Sequence, residues 1–337
     1  MSELRVLVCG AGSIGQRHIS NLIKLDVSVI AWRERKDKID ELAAAFKISV
    51  FSDLDEAIEL CDAVVVATET HKHIDIALRA ARSKKHLFIE KPVSHTLDYL
   101  QKLNAIVEEN RSIVEIGSML RASETLQELK AITDNQIYGE VLTYRAVMGQ
   151  RLDTWRPDSD YRDSYSADRD KGGGALMDLI HQIDLVQFLF GKIDVVYCFN
   201  QTVGALEIKA ETLSSLTLEG ERGLSGQVQV DMISPVYRGS IEVVTSDALL
   251  VWNIQTNVLQ ITEQNGQQKV ISPSDSFERN NLFENHMAHF LSRVKNKNVL
   301  ALSSLKDGVM ALNTVLTAYK SSAYGRKLPV QSVHWLK

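Results

Sequence analysis

Three glycines near the start of the chain constrain its fold more than any other feature. The apolar run Val6-Leu7-Val8-Cys9 reads as a strand, Gly10-Ala11-Gly12-Ser13-Ile14-Gly15 follows it, and residues 13–25 carry a helical pattern. The spacing G-x-G-x-x-G between a strand and a helix is the fingerprint of a dinucleotide-binding turn. Gly10 permits the tight turn, Gly12 lets the backbone approach a pyrophosphate, and Gly15 lets helix and strand pack closely. The helix start at Ser13 and Ile14 presents free N–H groups and a positive dipole end to the phosphates.

Behind this turn, strand patterns at 5–9, 27–32, 63–67, 86–89 and 112–116 alternate with helical patterns at 37–46, 54–60, 74–82 and 96–109. That alternation predicts βαβ units, a parallel sheet and right-handed crossovers. After Gly117 the rhythm changes. A helix is expected at 123–132, a strand at 140–149, a charged and aromatic loop at 150–171, and a single helix at 174–190. Residues 195–270 read mostly as strands with alternating polar and apolar positions, as an antiparallel sheet with one covered face requires. Helices are expected again at 284–294 and 304–324. The fold class is therefore α/β: an N-terminal Rossmann domain over 1–120, then a C-terminal α+β domain over 121–337 with an open, mainly antiparallel sheet. The second domain is assigned substrate binding and oligomerisation, its last helix being able to pack back on the first.

A chain of 337 residues exceeds the usual reach of one hydrophobic core, in keeping with two domains. The net charge of −5 argues against a nucleic-acid surface, which is built from excess Lys and Arg. Cys9, Cys61 and Cys198 lie far apart in no metal-binding or disulfide pattern, and no His/Cys set has zinc spacing, so no metal is expected. The N-terminal residues lack a signal-peptide layout and no apolar run reaches membrane-spanning length, so a cytoplasmic protein without a membrane partner is expected.

Cofactor choice turns on the end of the second strand, where an acid binds ribose hydroxyls and an arginine accepts a 2′-phosphate. Arg33 stands there, with Arg35 and Lys36 nearby, which favours NADP over NAD; Glu34 is the competing ribose ligand. Hydride transfer from a carbinol also needs a proton acceptor and a cation for the developing alkoxide. Lys91, in Glu90-Lys91-Pro92, follows the strand at 86–89 and so stands on the cofactor side of the sheet, and a cis bond before Pro92 would fix its direction. His71 and His73, beyond the strand at 63–67, are candidates for the cofactor edge. Gly172-Gly173-Gly174 precedes Asp178, His181 and Asp184, spaced three apart, so that on one helix either carboxylate orients the imidazole. Surface ion pairing of Glu90 with Lys91 and an Asp–His capping contact are the non-catalytic alternatives.

Taken together, these residues resemble the Gfo/Idh/MocA family of sugar and polyol oxidoreductases over nearly the whole chain. The resemblance rests on Gly10 to Gly15 with His18, Val64-Val65-Val66-Ala67-Thr68 with His73, Glu90-Lys91-Pro92, and the glycine-rich Asp178/His181 segment. It implies an NAD(P)-dependent oxidoreductase acting on a secondary hydroxyl of a sugar, polyol or sugar derivative. Lys91 would hold the hydroxyl, His181 would be the general base, and Asp178 would assist. Thr68, His73, Glu90 and Lys91 would join Gly10, Gly12, Ser13, Ile14, Gly15 and Arg33 in the cofactor set. It also implies a homodimer or homotetramer built on the exposed face of the second sheet. Three departures stand out: three steps rather than four from Asp178 to His181, Glu69 in place of a proline, and Arg33 in place of an acid.

The 151–171 loop holds Arg151, Arg156, Arg162 and Arg169 among Trp155, Tyr161 and Tyr165, a set suited to an acidic or nucleotide-linked sugar. Arg121, Trp155, Arg156, Tyr165, Asp178 and His181 are the candidate substrate contacts. Six aspartates in the same loop make internal salt bridging the equal alternative. Two other functions stay open: a lyase or glycosidase using bound NAD transiently, and a non-catalytic dinucleotide sensor.

Overall fold

The computed structural model describes residues 4–155, 159–204 and 206–336. The chain forms two compact units: the first ends at Met119 and takes back Asn280–Val309, and the second holds Leu120–Arg279 and the chain from Met310. The first unit contains β1 (Arg5–Cys9), α1 (Ser13–Lys24), β2 (Ser28–Trp32), α2 (Ile39–Phe46), β3 (Ser49–Phe51), α3 (Leu54–Glu59), β4 (Ala63–Val66), α4 (His73–Arg82), β5 (His86–Ile89), α5 (Leu100–Asn110) and β6 (Val114–Ile116). Its sheet has the order β3-β2-β1-β4-β5-β6, with every neighbouring pair parallel. The strand order reverses between β1 and β4, and in such sheets the crevice beyond the strand carboxyl ends at that point receives the ligand. β4 is wholly buried, which explains its unbroken apolar run.

Two details depart from the sequence expectation. β3 was not foreseen, because three residues are too few to carry a period. α5 begins at Leu100 rather than at 96, because Tyr99 has φ +61° and a left-handed residue ends helical propagation.

The second unit contains α6 (Glu124–Asp134), β7 (Val141–Gly149), α7 (Ala175–Asp178), α8 (His181–Phe190), β8 (Ile193–Gln201), β9 (Leu213–Gly220), β10 (Ser225–Asp231), β11 (Arg238–Thr245), β12 (Ala248–Asn253), β13 (Val258–Glu263) and β14 (Gln268–Ile271). Then come α9 (Arg279–Lys295), α10 (Leu305–Tyr324) and β15 (Leu328–Pro329). The sheet runs β14-β13-β12-β11-β7-β10-β9-β8-β15, antiparallel throughout except for the β7–β10 pair. Burial alternates along β9, β10 and β11, so one face is covered and the other open.

α9, from Asn280 on, belongs to the first unit, where Met287 and Phe290 join Val6, Val8, Ile19, Val65 and Phe88 in one core. Glu115 on β6 anchors it: its buried carboxylate meets His286 at 3.2 Å, Arg293 at 2.5 Å and the Ser303 N–H at 2.7 Å. A buried carboxylate is tolerable only with such partners. Among the described residues no helix is long and apolar enough to cross a membrane.

Candidate active site

The glycine turn fits a dinucleotide pyrophosphate on steric grounds. Gly10 has φ +103°, and a side chain there would lie 2.6 Å from the Ala67 carbonyl oxygen. A side chain at Gly15 would lie 2.0 Å from the Gly10 carbonyl oxygen. Gly12, by contrast, caps α1 and faces open space, with nothing within 4 Å of its missing Cβ. The first turn of α1, at exposed Ser13 and half-buried Ile14, carries no acidic residue to oppose an anion. Gly15→Ala drives a methyl into backbone, at a cost of about 1–3 kcal/mol or more. Dinucleotide affinity is therefore expected to fall about ten- to a hundredfold, read by titration of tryptophan fluorescence; unchanged affinity would remove the turn from the binding site.

At the end of β2, half-buried Arg33 donates from Nη1 to the Lys38 carbonyl at 3.2 Å. The Glu34 carboxylate is bound by Lys72 at 2.6 Å, and Lys72 also meets Glu69 at 3.1 Å. Glu69, where the resemblance implies a proline, thus pairs with a lysine one turn away.

Beyond β5, Glu90 is buried, and its Oε1 lies 2.8 Å from Nε2 of the equally buried His18. Its Oε2 accepts from the Lys91 N–H at 3.2 Å. Residue 117 must be glycine, because a Cβ there would sit 2.8 Å from the Glu90 carboxylate. Lys91 is half-buried, and the Lys91–Pro92 peptide is cis, as expected. His73 lies between two carbonyls, Pro92 O at 2.8 Å from Nδ1 and Thr68 O at 3.0 Å from Nε2. The neutral imidazole that burial favours has one N–H, so His73 donates to one of these carbonyls and packs against the other, linking the end of β4 to the end of β5.

These groups make the first unit acid-sensitive. Burial pushes the Glu90 carboxyl up, but the His18 hydrogen bond and nearby positive charge outweigh it and hold the group below its ordinary value. Glu115 is likewise held down, against burial, by His286, the Ser303 N–H and Arg293. Burial depresses His73, against the pull of its two carbonyls and Glu90. A depressed carboxyl gives stability that is present above its unfolded pKa and lost as pH falls through the folded one. A depressed imidazole means the unfolded chain takes up the proton first. Both slopes have the same sign, so the urea midpoint is expected to drop between about pH 7 and pH 4; a flat profile would contradict it.

In the second unit the expected helix over 174–190 is corrected. α7 ends at Asp178, Leu179 adopts φ −97° and ψ 28°, and α8 starts at His181. Residues 175–184 are all buried, a run that one straight helix would have to bury on every side; the break divides it between two short helices. Asp178 and His181 therefore do not share a face of one helix. Asp184 is committed elsewhere: Arg121 donates from Nε to Oδ2 at 3.1 Å and from Nη2 to Oδ1 at 2.7 Å. Arg121 is 4% exposed, so this pair lies in the interior rather than on a solvent-open binding surface.

The charged loop is largely self-paired. Arg151 meets Asp153 at 2.8 Å, and Arg162 meets Asp160 at 2.7 Å and Glu207 at 3.0 Å. Arg169 lies over the Tyr319 ring at 4.2 Å. Half-buried Trp155 donates to the Gln150 carbonyl at 3.1 Å, and half-buried Tyr165 opens a turn whose other residues, Ser166 and Ala167, are buried. Arg156 lies outside the described residues. Sequence reasoning overlooked Glu211, whose partners in the glycine turn lie some 35 positions earlier; the one available signal was the glycine run itself, which implies a group pressed against it.

Comparison with known proteins gives a consistent result. Residues 4–118 match the family model described as oxidoreductase family, NAD-binding Rossmann fold, and residues 126–251 match the GFO/IDH/MocA C-terminal domain. The uncharacterized oxidoreductase YrbE of Bacillus subtilis is 28% identical over 192 residues, 55% of this chain and 53% of that protein. Against that relative, the chain aligns over about half of the relative's length. Myo-inositol 2-dehydrogenase of Thermotoga maritima is 25% identical over 342 residues, 98% of this chain and 99% of that one. The solved structure of levoglucosan dehydrogenase in complex with NADH and L-sorbose superposes with a TM-score of 0.89 at 18% identity, covering 99% of this chain and 100% of that one. With both family domains matched in sequence order, and a glycine turn shaped for a pyrophosphate, the chain belongs to the Gfo/Idh/MocA family of oxidoreductases, with an NAD-binding Rossmann domain.

Proposed function

We propose that this oxidoreductase acts on a secondary hydroxyl of a sugar, polyol or sugar derivative, with Lys91, His181 and Asp178 as its catalytic residues. The nicotinamide dinucleotide, when bound, supplies the hydride acceptor or donor. Lys91 donates a hydrogen bond to the substrate oxygen and stabilises charge building there. His181 takes the hydroxyl proton, and Asp178 orients substrate or imidazole. Glu90 and His73 act on Lys91 from behind by fixing the ends of β5 and β4. The observation that carries this reading is the fixed Lys91 backbone, whose N–H is held by a buried, histidine-paired carboxylate.

The test is a panel of myo-inositol, levoglucosan, a hexose 6-phosphate and a nucleotide-linked hexosamine, assayed with NAD and NADP at 340 nm. Net reduced dinucleotide from at least one sugar is expected. Sugar conversion without net reduction would instead mean transient oxidation.

The phosphorylated dinucleotide is the preferred form. Arg33 stands where an acid would select NAD, and the competing Glu34 is engaged by Lys72. Arg33→Ala should weaken NADP about ten- to a hundredfold, the worth of a charge-assisted hydrogen bond, and leave NAD unchanged. Equal losses for both would contradict the assignment. The open face of the nine-stranded sheet exposes Tyr197 and Phe199 on β8 and, with β9, β10 and β7 between, the paired Val244 and Leu249 on β11 and β12. Exposed apolar side chains on that face suit a homodimer or homotetramer, checked by light scattering. A cytoplasmic setting is part of the same proposal, in keeping with three free, buried cysteines.

A further inference from the structure

Glu211 precedes β9 and is 7% exposed, yet it carries a carboxyl group. Its Oε1 accepts from the Leu176 N–H at 3.0 Å and from the Tyr319 hydroxyl at 3.0 Å, while its backbone carbonyl accepts from the Ala175 N–H at 3.0 Å. Its Oε2 has no hydrogen-bond partner. The carboxyl occupies the space a side chain at residue 174 would need, 2.5 and 2.6 Å from the missing Cβ. Gly174, already at φ +106°, is thus required twice over. Burial pushes the Glu211 carboxyl above its ordinary value, and the Arg169 charge works against that rise.

α7 has four residues, far below the length at which a helix holds itself. Its first two N–H groups end on Glu211, and the Asp178 N–H closes the turn on the Gly174 carbonyl at 2.9 Å. The start of α7, and with it Asp178, is therefore tied to one residue on a distant segment, through its backbone carbonyl and its carboxyl. Tyr319 extends the unit, being bonded to Glu211 and under the electrostatic influence of Asp178.

We propose that Glu211 is a positioning residue for Asp178, its carboxyl filling the place of a side chain at Gly174 and holding the Leu176 N–H, while its backbone carbonyl holds the Ala175 N–H at the start of α7. The proposal rests on the catalytic reading of Asp178, and its test separates the two. Glu211→Ala is expected to lower kcat about a hundredfold on the panel sugar that the wild type turns over fastest, the scale of a misplaced catalytic group, with dinucleotide affinity unchanged. Glu211→Gln, which keeps an oxygen for Leu176, should recover most of that loss. In an Asp178→Ala background the Glu211→Ala loss should shrink below about threefold, because coupled residues are not additive. A full loss in that background, or no loss in the wild type, would overturn the proposal.

Should Glu211→Ala not fold, Tyr319→Phe removes only the hydroxyl on Oε1, and the same cycle is run with it. Hydrogen exchange gives an arm free of substrate: the amides of 176–178 should exchange faster in Glu211→Ala and not in Glu211→Gln, and equal protection in all three proteins would overturn the proposal. If Asp178→Ala alone leaves kcat intact, the catalytic reading of Asp178 falls, and the exchange result still decides whether Glu211 holds α7.

Discussion

Replacing Lys91 with alanine is expected to lower kcat about a thousandfold, within the range spanned by positioned proton donors and acceptors, while dinucleotide affinity stays within about twofold of wild type. The asymmetry follows from where the residue stands. The pyrophosphate contacts are proposed at Gly12 and the first turn of α1, whereas Lys91 follows β5, with its N–H bonded to Glu90. Truncation at Cβ leaves that backbone bond and the His18–Glu90 pair intact, so the fold of the first unit should not change. Steady-state rates at 340 nm give kcat, and fluorescence titration gives the affinity. Loss of both together would mean that Lys91 binds the cofactor rather than the reacting hydroxyl. An unchanged rate would remove Lys91 from the chemistry.

The largest stability effect is expected at Arg121. Its guanidinium and the Asp184 carboxylate form a two-point ion pair with side chains 5% and 7% exposed. Arg121→Ala strands a carboxylate inside the second unit, and breaking a buried pair by removing one partner typically costs about 3–5 kcal/mol. Arg121→Lys cannot reproduce the planar two-point contact and should recover only part of the loss. Arg162→Ala is the control, because Arg162 is exposed and pairs with exposed partners; its urea midpoint should not move measurably. Equal midpoints for the Arg121 and Arg162 variants would contradict the account of α8.

These expectations were unequally legible in the residues. The Rossmann unit was readable because its signals are local. Gly10 and Gly15 each answer a contact within the turn or with Ala67, Gly12 leaves the space before α1 open, and β1, β4 and β5 announce themselves as apolar runs. The position of Lys91, just beyond one such strand, was readable for the same reason. What escaped depends on tertiary contacts. The break between Asp178 and His181 runs against a pattern that reads as one helix, and burial on all sides imposes it. Arg121 reads from the sequence as a candidate substrate contact, and its pairing with Asp184, 63 positions later, is seen only in the fold. Glu211 reads as one acid among several between 207 and 219, and only the fold around residues 172–174 shows why residue 174 carries no side chain.

The most direct test of the central claim follows hydrogen rather than light. The protein is mixed with oxidised dinucleotide and a panel sugar deuterated at its carbinol carbons, and the recovered dinucleotide is weighed by mass spectrometry. A single deuterium in the released, reduced dinucleotide, lost when Lys91 or His181 is replaced by alanine, is the result expected of a sugar or polyol dehydrogenase. Sugar converted with no deuterium in the released dinucleotide, or label transfer that survives both replacements, would contradict it.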